Sequence, residues 1–516
     1  MNTRNAHALR LRSTSSGGRR PPAAPYGLGT PPARSAVTMP AHPACTTLPE
    51  RVCRHPLVNR LENARLARCE QSLKARFDAI VPALKAISAL QHGPDFPERA
   101  QALVKERLGH GLPPRILEDA WVAGLDLKAL YADFAFAALK TSAAQFVDDM
   151  KNQAESLQDT QNFFLDCGFH AVDISPCADG RLKGLMPYIL RLPLSSFTRR
   201  KAYAGALFDV ETDVRHWVAT ELRRFREGEP TTVDSGTRYL KVAVYHSSSS
   251  DPCHEGCGAH GSNEHKAIEA ALERLNQFRQ AIENAFCCGA STDILLIGVD
   301  TDTDAIKVHV PDANGHLSAH RYVDSARLYA DTLHLGADQA RLAVYEASRH
   351  ASGNDGSDLD RGEPHEGMRR LIANLVINNL SQIEYVAEFY GGRYPDIGHA
   401  ERYLSVGDGF EEVQMRNVAY YAHLHTVEEG AADMDVGIKI FKALNVEHGL
   451  PVPVAIHYRY DARVPGSRER AIAKAQRVRD AILARYPELP SHGLLVCNLS
   501  VQDLPTGSPI EEVENQ

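Results

Sequence analysis

Residues 239–246 read Tyr-Leu-Lys-Val-Ala-Val-Tyr-His. Apart from Lys241 the run is aliphatic and aromatic, the composition of a strand buried on both faces. It stops at His246, and a polar loop follows: Ser-Ser-Ser-Ser-Asp-Pro-Cys253-His254-Glu-Gly-Cys257-Gly. Ile268, Leu272, Leu275, Phe278 and Ile282 then recur at helical spacing, which predicts an amphipathic helix behind the loop. Similar apolar runs stand at Ala171–Ile174 and Ile294–Val299. Strands alternating with helices imply an α/β fold with a parallel sheet. Functional groups in such sheets gather beyond the carboxyl ends of the strands.

The strand before this one delivers a second polar cluster: His170-Ala-Val-Asp-Ile-Ser-Pro-Cys177-Ala-Asp179-Gly-Arg181. Two thiolates and an imidazole are donors that zinc favours, and three protein ligands leave a fourth position open. Cys177, His246 and Cys257 are therefore the candidate metal ligands. A metal ion in such a site brings the pKa of a bound water from about 15.7 toward 7. Asp179 is placed to accept a hydrogen bond from that oxygen, and Arg181 to keep the carboxylate ionised. Alone, Asp179-Gly-Arg181 would read as a turn with a surface ion pair.

Cys-x-Asp-x-Arg after one strand, with a histidine and a cysteine after the next, resembles the β-class carbonic anhydrases. Their usual pattern is Cys-x-Asp-Ser-Arg followed by His-x-x-Cys; here Gly180 replaces the serine. The match covers Phe163–Gly184 and Arg238–Asn263, and the texture of nearly the whole chain is similar to the carboxysomal shell subclass (the epsilon subclass). His254-Glu-Gly-Cys257 fits His-x-x-Cys literally. In the family, however, the ligand histidine directly follows a strand, which favours His246, with 247–255 holding an insertion. The resemblance implies one Zn²⁺ per chain and reversible hydration of CO2 to bicarbonate by hydroxide generated on the metal.

The pattern returns near the C-terminus. Gly398-His399-Ala400 and Val406-Gly-Asp408-Gly409-Phe410 align on Phe169-His170-Ala171 and Cys177-Ala-Asp179-Gly180-Arg181. Val452–His457 resembles Val242–His246, Ala462 falls where Cys257 stands, and Leu494–Leu499 echoes Leu295–Asp300. This copy keeps a strand-end histidine and lacks both thiols, so it cannot build the same site. The expected fold is an N-terminal helical domain, a β-carbonic-anhydrase-like α/β domain and a degenerate second copy, the last two forming a pseudo-dimer. The divisions expected are a basic tail over 1–48, helices over 49–155, the zinc domain over 156–395 and the repeat over 396–516. His399 sits at the offset where the family's neighbouring unit supplies a side chain to bicarbonate.

Residues 1–48 carry six arginines among Pro, Ser and Gly, with almost no large apolar side chains, and read as disordered. Leu66, Cys69, Leu73, Phe77, Ile80, Leu84, Ile87 and Leu90 form a helical stripe that Pro82 should kink or divide. A second pattern runs through Leu117, Leu125, Leu130, Phe134 and Phe146. The net charge is -8 despite the basic tail, and no basic stripe with interleaved aromatics suggests nucleic-acid binding. No apolar run approaches a membrane span, and the N-terminus lacks a secretory apolar core, so a cytoplasmic setting is expected.

The scattered Cys45, Cys53, Cys69, Cys167 and Cys497 read as small hydrophobes, and Cys253, Cys287 and Cys288 as structural or adjacent. A nucleobase deaminase would need Pro-Cys-x-x-Cys with a His-x-Glu before it on a helix, but the spacing here is Pro252-Cys253-x3-Cys257 with no such His-x-Glu ahead of it, and the Cys-x-x-Cys of a thioredoxin-like enzyme is absent. The competing reading is a non-catalytic microcompartment scaffold with a structural zinc. The shell subclass further implies a carboxysome setting at the inner face of the shell, a homo-oligomer, and a tail that recruits Rubisco. A sugar-bisphosphate effector bound at Arg199-Arg200-Lys201 or Arg223–Arg226 is a further expectation; solvated helix faces are the plainer reading of those clusters.

Overall fold

The structure, a computed structural model, describes residues 54–112, 125–151, 161–192, 198–230, 236–286, 292–349, 351, 362–410, 413–422, 431–504 and 508–513. The tail, Leu117, Cys45, Cys53 and the Cys287-Cys288 pair lie outside these residues, as does the side chain of Phe146.

Two helices carry the first apolar stripe, α1 (Arg60–Asp78) and α2 (Ile80–Leu90). Asn59 caps α1 by accepting from the Glu62 N–H. The break falls at Ala79 because Pro82 has no N–H to offer the Asp78 carbonyl; in the first turn of α2 that missing donor costs nothing. Helices α3 (Phe96–Leu108) and α4 (Leu127–Lys151) follow. Leu73, Phe77, Ile80, Leu84 and Ile87 are buried with Leu130 and Phe134. Their core continues into Phe410, Val418 and Ala455 of the C-terminal region. Periodicity showed which face is buried, but not that its partner lies over 300 residues downstream.

The first sheet contains β1 (Phe169–Pro176), β2 (Thr198–Arg200), β3 (Arg238–Ser247), β4 (Thr292–Asp300), β5 (Ile306–His309) and β6 (Tyr322–Asp324). Its order is β2-β1-β3-β4-β5-β6, parallel as far as β4 and antiparallel beyond. One face packs on α9 (Glu366–Tyr390) through Leu371, Leu375 and Val376. The other packs on α6 (Glu264–Phe286) through Leu275, Phe278 and Ile282, with Trp217 of α5 (Val210–Arg226). Burial on both faces explains the unbroken apolar runs. Lys241, mid-strand and fully buried, is tied to Asp213 (2.5 Å), Ser175 (2.8 Å) and Asp173 (3.1 Å). Arg199 turns inward onto the same two aspartates (3.0 and 2.6 Å). It is committed to buried charge and is not a free phosphate ligand.

Two short helices, α7 (Ser325–Thr332) and α8 (Ala337–Arg349), complete this half. The second sheet contains β7 (Tyr403–Gly407), β8 (Ala419–Ala422), β9 (Val452–Tyr460), β10 (Leu495–Asp503) and β11 (Glu511–Val513), with α10 (Ala431–Leu444) and α11 (Ser467–Arg485) packed on it. Its order, β11-β10-β9-β7-β8, reproduces β5-β4-β3-β1-β2, including the antiparallel outer strand. Registers agree as well: Pro176 pairs with Val244 two residues before His246, and Ser405 with Ala455 two before His457. This places Val406 at the Cys177 position, as the sequence alignment has it.

The echo of Leu295–Asp300 needs correction. His246 pairs with Val299 and His457 with Ser500, so Leu494 corresponds to Asp293. The sequence match had slipped by two residues, a shift that keeps every side chain on its own face and so leaves no trace in the apolar pattern.

Two imidazoles are sealed in these sheets. Burial lowers His457 to about 3 and His309 to about 4 from an ordinary 6.5. Their folded-state pKa values are depressed, so the stability they carry is present above pH 6.5 and lost as pH falls toward 4 and 3. At pH 5 each should cost about 2 kcal/mol relative to neutral pH. Urea unfolding of metal-free protein should show this loss, and His457→Gln should remove its own share, roughly half, leaving that of His309. An equal pH slope in the variant would remove His457 from the account.

Candidate metal centre

Strand β1 runs out at Pro176 and hands Cys177 to the top of the sheet, where its N–H donates to the Val244 carbonyl (2.9 Å). His246 stands at the end of neighbouring β3. Cys257 begins the tight turn that closes the following loop, and its carbonyl accepts from the His260 N–H (3.0 Å). All three are buried, and their donor atoms lie within 4.8 Å of one another. His254 is 79% exposed and bonds Asp251 instead (2.8 Å), so the structure places only one of the two candidate histidines beside the thiols.

The fit to zinc can be tested on distances. Two Zn–S bonds of about 2.3 Å at a tetrahedral angle separate the sulfurs by roughly 3.8 Å. The Cys177 and Cys257 sulfurs are 3.8 Å apart. Both ring nitrogens of buried His246 have no hydrogen-bond partner, a costly condition that a metal ligand would relieve. The hydrogen bond between the two sulfurs pushes the Cys177 thiol up and draws the Cys257 thiol down, so the pair holds a proton that a cation would displace.

Asp179 and Arg181 form a closed, nearly inaccessible pair. Arg181 Nε and Nη2 donate to the two Asp179 oxygens (2.9 and 2.8 Å), and its backbone N–H adds a third bond (2.9 Å). Burial alone would push this carboxyl up; the Arg181 guanidinium, helped by His246, holds it well below the usual carboxylate range. Nη1 of Arg181 also donates to the carbonyls of Glu255 (2.7 Å) and Ile397 (2.8 Å). One side chain thus ties the Cys177 loop to the Cys257 loop and to the segment leading into His399. Asp179 Oδ2 lies 3.5 Å from His246 Nε2 and 4.0 Å from His399 Nε2.

A cavity of about 260 Å³ opens over this group. The first sheet supplies Cys177, Asp179, His246 and Cys257; the C-terminal half supplies His399, Tyr420, Val436, Lys439 and Ile440. His399 is half-buried, and its Nδ1 bonds Glu401 (2.7 Å). Burial opposes its charging, but Asp179 and Glu401 outweigh that and raise it to about 9. Sequence reading missed Glu401. Gly180 was the available signal, since a Cβ there would lie 2.5 Å from the Glu401 side chain.

In the second sheet the equivalent site is closed. His457 bonds Ser500 (2.9 Å) and lies under the Phe410 ring, which stands at the Arg181 position with centroids 4.3 Å apart.

Two like-ordered α/β sheets, with a buried Cys2His donor set where they meet, define the class: an α/β repeat protein with a site suited to zinc. Family models agree along the chain: Carboxysome Shell Carbonic Anhydrase, N-terminal, matches residues 55–147, the catalytic domain 159–399, and the C-terminal domain 400–516. The carboxysome shell carbonic anhydrase of Halothiobacillus neapolitanus is 58% identical over 474 residues, 92% of each chain. That of Parasynechococcus marenigrum is 49% identical, covering 91% of this chain and 80% of its own. The protein of that name from Hydrogenovibrio crunogenus is 44% identical, covering 89% and 86%. This chain belongs to the carboxysome shell carbonic anhydrase family.

Proposed function

We propose that this chain is a zinc-dependent carbonic anhydrase of the carboxysome, interconverting CO2 and bicarbonate at the Cys177–His246–Cys257 centre. The observation that carries the reading is the pair of sulfurs 3.8 Å apart beside an unpartnered, buried imidazole, with an ionised carboxylate 3.5 Å from that ring. Zinc, when bound there, acts as a Lewis acid and makes hydroxide available at neutral pH. Asp179 can only accept while Arg181 keeps it ionised, so it orients whichever donor enters, including the hydroxyl of bicarbonate. His399, on the far side of the same carboxylate, carries positive charge and draws the bicarbonate anion into the cavity. Val436, Ile440 and Ala204 add apolar side chains to the cavity lining, which suits CO2. The repeat of sheet order supports a pseudo-dimer within one chain, its second copy contributing the cavity wall rather than a second metal.

Stopped-flow CO2 hydration on zinc-loaded protein is the test, with zinc content measured on the same sample. One zinc per chain with no hydration would instead support the scaffold reading. Among the described residues no helix is long and apolar enough to cross a membrane.

Delivery of CO2 to Rubisco, attachment at the inner face of the shell and assembly as a homo-oligomer complete the reading. The six arginines of the tail support an electrostatic contact with an acidic surface. Removing residues 1–48 should leave hydration and zinc unchanged and abolish Rubisco binding. The binding of the full chain should weaken steeply with salt as the screening length falls from about 10 Å at 0.1 M. Equal binding by the truncated chain would move the docking surface to the folded body.

A further inference from the structure

We propose that Glu401 is a positioning residue: it anchors the His399 ring toward the cavity, and residue 180 is a glycine so that Glu401 can reach it. This rests on the role proposed above for His399 at the bicarbonate site.

Three observations converge. The Glu401 side chain is completely buried; its Oε1 bonds His399 Nδ1 at 2.7 Å, while Oε2 has no hydrogen-bond partner. Burying a carboxylate half-satisfied is costly. The charge-assisted bond to His399 is what offsets that cost. The second observation is at Gly180. Its φ is not positive, so its conformation is open to any residue. Its carbonyl accepts from the Asn417 N–H (2.8 Å), which pins this backbone against the C-terminal half. A Cβ there would lie 2.5 Å from both Cγ and Oε1 of Glu401. Space for Glu401 is thus the feature that calls for glycine.

The third observation concerns His399 itself. Its Nε2 is 4.0 Å from Asp179 Oδ2, beyond hydrogen-bond reach. The Glu401 bond is therefore the one that fixes its ring, and a third of the side chain is exposed. Holding Nδ1–H on a carboxylate selects which nitrogen faces the cavity, the device by which neighbouring carboxylates orient working imidazoles. Without it the ring is free to change rotamer.

The test compares Glu401→Ala, Glu401→Gln, Gly180→Ala, His399→Ala and the Glu401→Ala/His399→Ala double variant. Each is checked for zinc content and assayed for bicarbonate dehydration at fixed pH. His399→Ala and Glu401→Ala should each raise KM for bicarbonate about tenfold while kcat changes less than about threefold. Gly180→Ala should follow Glu401→Ala. Glu401→Gln retains an acceptor oxygen and should recover most of the loss. The double variant should be no worse than His399→Ala, because Glu401 acts only through that ring. Nitrogen-15 NMR of the imidazole, assigned by its absence in His399→Ala, should show a hydrogen-bonded Nδ1 proton that disappears in Glu401→Ala.

An unchanged KM in Glu401→Ala beside a raised KM in His399→Ala overturns the positioning role and leaves the function standing. Additive losses in the double variant overturn it too, because Glu401 would then act on the fold. An unchanged KM in His399→Ala removes both the role of His399 and the inference built on it.

Discussion

Cys177→Ala, His246→Ala and Cys257→Ala should each lose zinc and CO2 hydration together, from about one zinc per chain to almost none and from full turnover to background. The donors sit within 4.8 Å of one another, and the two ligands left by any one substitution rarely hold the ion. His254→Ala should keep stoichiometric zinc and full activity, because that ring is 79% exposed and engaged with Asp251. Metal analysis by mass spectrometry with stopped-flow assay separates the outcomes. Zinc retained in His246→Ala and lost in His254→Ala would mean that the loop rearranges around the metal and that the ligand assignment is wrong.

Asp179→Asn should retain zinc and lose turnover by at least about 10- to 100-fold, the scale on which partners of a metal site act. The amide presents one acceptor where the carboxylate presents two, and it gives up the charge that Arg181 and His399 share. Arg181→Ala should be harsher. It leaves Asp179 buried without its guanidinium, a condition worth roughly 3–5 kcal/mol in other proteins. It also releases the Glu255 and Ile397 carbonyls that join three loops. Lowered thermal stability together with lost turnover is the expected signature. Near-native rates in both variants would reduce Asp179-Gly-Arg181 to a structural turn.

These expectations draw on two kinds of information. Cys177 and His246 were legible because each stands where a strand-like run gives way to a polar segment, and parallel strands present their carboxyl ends side by side. The second copy was legible through its residue types, and its strand order matches. The two-residue slip at Leu494 was invisible for the reason that the strand period is two. Lys241 looked like a blemish in a buried strand until Asp173 and Asp213 were placed against it.

Strand and helix periods, the proline break after α1, the thiol and imidazole at strand ends and the lost thiols of the repeat were all determined by the sequence itself. Each depends on neighbours within a few residues or on a strand's own alternation. The placing of His246 rather than His254 beside the thiols, the packing of the N-terminal helices on a distant sheet, the inward turn of Arg199 and the placing of Glu401 against Gly180 were decided by tertiary structure. Those contacts join residues from 14 to hundreds of positions apart, and local periodicity carries no information on which buried faces will meet. Residue 180 is glycine for a side chain 221 positions away, and only the folded chain brings the two together.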